Sequence, residues 1–143
     1  MGTRADFYLG RGADKARWLG SIAWDGSPDG VPEPLRKATT SEAYLKELTD
    51  FARTRDDWTS PDHGWPWPWD TSRNTDYAYA FDDGQVFASL FGQPWVNAEA
   101  AVTLEDWPDG PRVEFPDMRE GRSVTWGRRS GLIVIGIPDE DTP

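Results

Sequence analysis

The segment that most limits what this chain can become is His63-Gly64-Trp65-Pro66-Trp67-Pro68-Trp69-Asp70. Pro61, Pro66 and Pro68 each withhold a backbone donor, and each pushes the residue before it toward extended geometry. Between Arg55 and Asp76 neither a helix nor a central strand has room to run, so a long irregular loop is expected at about 58–75. Successive indoles on such a strip project in different directions. Two readings follow. In one, Trp65, Trp67 and Trp69 are stiff, preorganised anchors for a partner. In the other, the loop is a lid whose indoles fold back over a sheet or helix.

The remainder of the chain can supply a core for such a lid. Its 143 residues are 37% apolar and include nine tryptophans, which bury large areas and offset a mean hydropathy of −0.70. One domain spanning 1–143 is the expectation. No apolar run is long enough to cross a bilayer and no secretory leader is legible, so a cytoplasmic protein without membrane contact is expected. The chain has no cysteine and one histidine. That excludes disulfides, thiolate metal sites, cysteine nucleophiles and multi-histidine centres, and nothing calls for a cofactor.

Charge is segregated along the chain. Residues 1–55 are nearly balanced and residues 118–143 are neutral, whereas residues 56–117 hold thirteen acids against two arginines, Arg73 and Arg112. Contact with nucleic-acid phosphates needs clustered cations, so direct nucleic-acid binding is not expected. A basic partner suits this region better. Asp56, Asp57, Asp62, Asp70, Asp82 and Asp83 are the candidate partner-binding acids, with the three loop tryptophans beside them.

Local patterns predict the elements. Asp6–Leu9 and Trp18–Trp24 read as a hairpin around a Gly-rich turn, with Trp18, Ile22 and Trp24 on one parity. Residues 40–57 read as the main helix, with Thr39 and Glu42 as a capping box and a stripe of Tyr44, Leu45, Leu48, Phe51 and Ala52. Tyr77–Phe81 and Gln85–Phe91 flank the turn Asp82-Asp83-Gly84, a strong hairpin signal that puts Tyr77, Tyr79 and Phe81 on one face and leaves Ala78 and Ala80 against a crowded neighbour. Further strands are read at Glu99–Leu104 (with a helix as the alternative), Arg112–Phe115, Ser123–Trp126 and Leu132–Ile137. The last two are joined by a turn containing Arg128 and Arg129, and an acidic tail at 138–143 should fray. The fold class is α+β: an antiparallel sheet of about five to seven strands with one main helix packed on it.

Catalytic signatures are sparse. His63 with Asp62 or Asp70 has the composition of a base and its orienter, yet no nucleophile stands in a recognisable setting. Asp56-Asp57, Asp82-Asp83 and Glu105-Asp106 are paired acids of the kind used in glycoside hydrolysis or magnesium binding. Adjacent acids on a strand, however, point to opposite faces. Gly10-x-Gly12 lacks the third glycine of a dinucleotide loop.

The N-terminal run Thr3-Arg4-Ala5-Asp6-Phe7-Tyr8-Leu9-Gly10-Arg11-Gly12, followed by Trp18-Leu19-Gly20-Ser21-Ile22-Ala23-Trp24-Asp25-Gly26, resembles the opening of a group of short proteins encoded in bacterial genomes, phages and mobile elements. The resemblance brings no catalytic residues. It implies a setting in which small acidic proteins inhibit host defence, as anti-CRISPR proteins do, by binding a nucleic-acid-handling protein. The resulting expectation is a non-enzymatic acidic inhibitor of a basic nucleic-acid-binding host protein, with aspartates imitating phosphate charge. The competing expectations are a small-ligand binder or enzyme with a pocket under the Trp/Pro loop, and an immunity protein or a structural component of a phage or mobile element.

Overall fold

A computed structural model describes residues 2–119. Five strands form one sheet in the order β2-β1-β3-β4-β5: β1 Ala5–Leu9, β2 Arg17–Ile22, β3 Tyr77–Asp82, β4 Gln85–Leu90 and β5 Val96–Asn97. Short helices α1 (Glu33–Arg36) and α3 (Ala98–Ala101) accompany the main helix α2 (Ser41–Arg53). The architecture is α+β, as expected, and mostly antiparallel. The exception is the central β1–β3 pair, which is parallel. After the β1–β2 hairpin the chain crosses one face of the sheet through α2, and it returns beside β1 only after the Trp/Pro segment. A parallel pair requires a long crossover of this kind.

Both faces of the sheet are covered. On one, Phe7, Ile22, Tyr79, Phe81, Val86 and Ala88 pack with Tyr44, Leu48 and Phe51 of α2. On the other, Tyr8, Trp18, Ala78 and Ala80 meet Trp65, Phe115 and Met118, with Trp67, Trp69 and Trp95 at the margin. The alternation read in β3 holds: Tyr77, Tyr79 and Phe81 belong to the helix side, while Ala78 and Ala80, at 1% and 0% exposure, leave room for the indoles opposite. Small residues are needed where a second layer of large rings must come close.

The parity read in β2 fails. Phe7 faces Gly20 while Tyr8 faces Trp18, so Leu19 is an extra residue and the register shifts there. The resulting bulge turns Trp18 to the lid face while Ile22 stays on the helix face, and Trp24, beyond the strand, is 49% exposed. A bulge inverts the alternation on one side of itself.

Boundaries shift elsewhere for identifiable reasons. Thr40, not Thr39, caps α2, its Oγ1 accepting from the Ala43 amide at 3.1 Å. The helix stops at Arg53 rather than 57 because Arg55 and Asp57 bind back to the end of β2. Glu99–Leu104 is not a strand; Asn97 Oδ1 accepts from the amides of Glu99 and Ala100 and starts α3 there. Arg112–Phe115 forms no strand either. Pro111 and Pro116 bracket it, and its tie to the sheet side is the Val113 amide on the Gly92 carbonyl. The Asp83-Gly84 turn has φ of 50° and 78°, the left-handed pair that a two-residue hairpin requires. The strands expected at 123–126 and 132–137, their turn and the acidic tail lie outside the described residues.

Candidate functional site

The Trp/Pro segment is a lid. It crosses the sheet opposite α2, is tied to β2 by the reciprocal backbone pair of Ser21 with Thr59, and ends in a 3-10 turn at Ser72–Asn74. All three indole N–H groups are used inside the protein. Trp65 donates to the Trp69 carbonyl at 2.6 Å, Trp67 to Asp6 Oδ1 at 2.7 Å, and Trp69 to Thr75 Oγ1 at 2.8 Å. Trp65 is only 7% exposed and meets Trp18 edge-on, which removes it from any partner-facing surface. Trp67 and Trp69 are half-buried and stacked on each other, with the Arg4 guanidinium lying over both rings.

Under the lid lies a residue that the sequence reading did not select. Asp6 is fully buried in β1, and its carboxylate accepts from Ser21 Oγ at 2.5 Å, Ser72 Oγ at 2.6 Å and Trp67 Nε1. Trp18 Nε1 donates in turn to Ser21 Oγ, and Tyr8 Oη lies 2.7 Å from Ser72 Oγ. Burial raises the Asp6 pKa above its ordinary value, opposed by hydrogen bonds from Ser21, Ser72, Trp67 and Thr75. Burial, with the Asp6 charge beside it, pushes Tyr8 well up. A carboxylate withdrawn from water on all sides has no route to a substrate. Its chemical work, from β1, is to accept donors from β2 and the lid at once. The signal in the sequence was an acid at a lid-facing position of an aromatic strand, flanked in space by serines that only the fold brings near.

The nominated acids do not form one face. The strand pairing puts Ala5, Ile22, Tyr77 and Leu90 in a row at one end of the sheet, and Leu9, Arg17, Phe81 and Val86 at the other. Asp82 and Asp83 belong to the second end, where Asp82 pairs with Arg11 at 3.0 Å. Asp57 belongs to the first: its carboxylate is bound by Arg55 and accepts from the amides of Ala23 and Trp24, and its side chain is 2% exposed. Burial acts to raise the Asp57 pKa, but the Arg55 and backbone hydrogen bonds outweigh it and the net direction is down. Asp56 beside it is exposed. Asp70 pairs with Arg119 at 3.2 Å, and Asp62 is half-buried in the lid.

The paired acids and His63 gain no catalytic setting among the described residues. The His63 ring is exposed and reaches Ser60 Oγ at 3.5 Å, with neither Asp62 nor Asp70 as an orienter. Among the described residues no group of three or more His, Cys, Asp or Glu side chains is placed to hold a metal ion. No described helix is long and apolar enough to cross a membrane.

What the fold does expose is a pair of aromatic rings. Among the described residues Trp24, at 49%, and Phe91, at 45%, are the exposed large hydrophobic side chains. Trp24 follows β2 and Phe91 follows β4, so both stand at the Ala5/Tyr77 end of the sheet. Asp25, next to Trp24, and Phe91 itself hold left-handed φ of 66° and 50°, a conformation that costs non-glycine residues about 1 kcal/mol or more. Asp25, Asp29, Asp56, Asp57 and Asp76 lie at the same end; Arg55 pairs with Asp25 and Asp57, and Arg4 with Asp76. No protein-family model, curated protein or solved structure matches the chain.

Proposed function

We propose that this is a non-enzymatic binding protein whose partner is a basic, nucleic-acid-handling protein, docked at the sheet end that carries Trp24 and Phe91. The observation that carries this reading is the exposure of those two rings at one end of the sheet, beside Asp25, Asp29, Asp56 and Asp76. Exposed aromatics supply the anchoring energy of interfaces, and flanking acids steer a cationic partner and reject anionic ones. Left-handed backbone is unusual for a residue as bulky as Phe91, and that ring stands outside the core. Inhibition of a host defence protein is the role that the N-terminal resemblance suggests for such a surface, and Trp24 and Asp25 lie within that resemblance. The acids that would imitate phosphate belong to this end, whereas Asp82 and Asp83 stand at the far one.

The test is an affinity pull-down from host lysate with the purified protein at low and high salt, run beside Trp24→Ala and an Asp29→Lys/Asp56→Lys double variant. A basic nucleic-acid-binding protein that is retained at low salt, released at high salt, displaced by DNA or RNA, and lost with either variant supports the reading. Retention unaffected by both variants overturns it.

A further inference from the structure

Arg73 and Arg112 are the only cations in residues 56–117, and they lie 39 positions apart. The fold nevertheless brings them together. Arg112 Nη2 donates to the Arg73 carbonyl at 2.9 Å, and both side chains lie over Gly92: a Cβ built there would meet Arg112 Nε at 2.8 Å and Arg73 Cγ at 3.0 Å. Gly92 has φ of +78°, so this position favours glycine twice, once for its backbone and once for the guanidinium it receives. Among the described residues neither arginine has a carboxylate within salt-bridge distance, although the segment around them holds thirteen acids.

The two side chains line an open groove of about 390 Å³ with Trp69, Asp70, Thr71 and Asn74. Asp70 is the one acid on its wall, and Arg119 holds that carboxylate at 3.2 Å. The groove therefore offers the Arg73 guanidinium, the Arg112 guanidinium with its Nη2 already given to the Arg73 carbonyl, a threonine hydroxyl and a side-chain amide. Two like charges on the wall of one groove repel each other, and an anion between them offsets the repulsion and takes the donors that Arg112 does not give to the Arg73 carbonyl.

The geometry points to a binding site for a single phosphate group in the groove between Arg73 and Arg112. A compact oxyanion fits better than a polyanion. The groove is lined by two arginines against one carboxylate, whereas a long phosphate chain runs on over a protein whose net charge is −10. This site stands apart from the Trp24/Phe91 surface, and its failure would leave that reading untouched.

The test is a titration of the isotope-labelled full-length protein with inorganic phosphate at constant ionic strength, with chloride as the control. It follows the Arg Nε and Trp Nε1 resonances. Saturable shifts at Arg73, Arg112 and Trp69, absent with chloride, are expected. Arg73→Gln and Arg112→Gln should each weaken binding roughly tenfold or more, and Arg112→Lys, which keeps charge but loses the fork, should fall between. Arg53→Gln, on the exposed end of α2, should bind as the parent does. The Trp67 Nε1 resonance reports in every variant whether the lid is still closed, and Arg73→Gln and Arg112→Lys carry the comparison if Arg112→Gln disturbs it. AMP in a second arm distinguishes the source: tighter binding than inorganic phosphate assigns the group to a nucleotide, equal binding to free phosphate. Unsaturable shifts, equal binding by Arg112→Gln with the lid closed, or a single-stranded oligonucleotide binding more tightly than AMP would overturn the proposal.

Discussion

Trp67 Nε1 donates to Asp6 Oδ1 at 2.7 Å across 61 positions of sequence, so the lid is fastened to the second residue of the first strand. Proline-bounded segments contribute few backbone bonds of their own, and here side chains replace them: Trp67 to Asp6, Trp69 to Thr75 and Ser72 to Asp6. The loop behaves as a third layer because a buried acceptor collects its donors.

Replacing Asp6 by Ala leaves the Ser21, Ser72 and Trp67 donors without their acceptor and should cost about 2–4 kcal/mol of stability, read from chemical denaturation. The pH dependence has a definite sign. The folded-state pKa is raised, so between about pH 3.8 and that raised value the native protein holds a proton that the unfolded chain has released. The Asp6 contribution to stability therefore declines as pH rises through its native pKa, and is constant below the unfolded value. The difference between parent and Asp6→Asn across that range isolates it; a difference that grows in favour of the parent as pH rises through the window would contradict the assignment.

Asp57 should show the opposite slope. Its pKa is lowered by the Arg55 bond and the Ala23 and Trp24 amides, which outweigh burial, so its stabilisation is complete above the unfolded carboxylate pKa and is lost as pH falls through the native one. Asp57→Ala removes the partner of a guanidinium whose side chain is 13% exposed and should cost about 2–4 kcal/mol at neutral pH. Denaturation midpoints of parent and variant should converge in acid. A gap that is unchanged at pH 2 would place the effect elsewhere.

Gly20 lies flat beneath Trp58, where a Cβ would come within 2.1 Å of ring carbon Cζ2. Gly20→Ala must displace the indole or bend β2, and a loss of about 1–3 kcal/mol is expected with a changed tryptophan emission spectrum. A variant with parental emission and stability would show that the ring is not seated on this strand.

Two neighbouring threonines separate the true helix cap from the apparent one. Thr40→Ala should cost about 1 kcal/mol because its Oγ1 accepts from the Ala43 amide, whereas Thr39→Ala should be near neutral. Paired thermal melts decide it, and equal losses would restore the cap to Thr39.

Some of this was legible in the chain itself. The spacing of Tyr44, Leu48 and Phe51 determined a helix and its buried face, and Asp83-Gly84 between alternating aromatics determined a hairpin, because both signals act over a few residues and depend on local backbone preference. The prolines determined that 58–75 would be irregular. They did not determine which way the indoles face, since the acceptor that holds Trp67 is Asp6, 61 positions away, and only the fold brings the two together. Tertiary structure alone decided that Leu19 bulges and turns Trp18 to the lid, that Asp57 and Asp82 stand at opposite ends of the sheet and bind arginines, and that Arg73 and Arg112 share one groove. Local patterns fix what a segment prefers to be; which charges meet, and which rings stay exposed, follow from where the crossover from β2 to β3 sets the two halves of the sheet side by side.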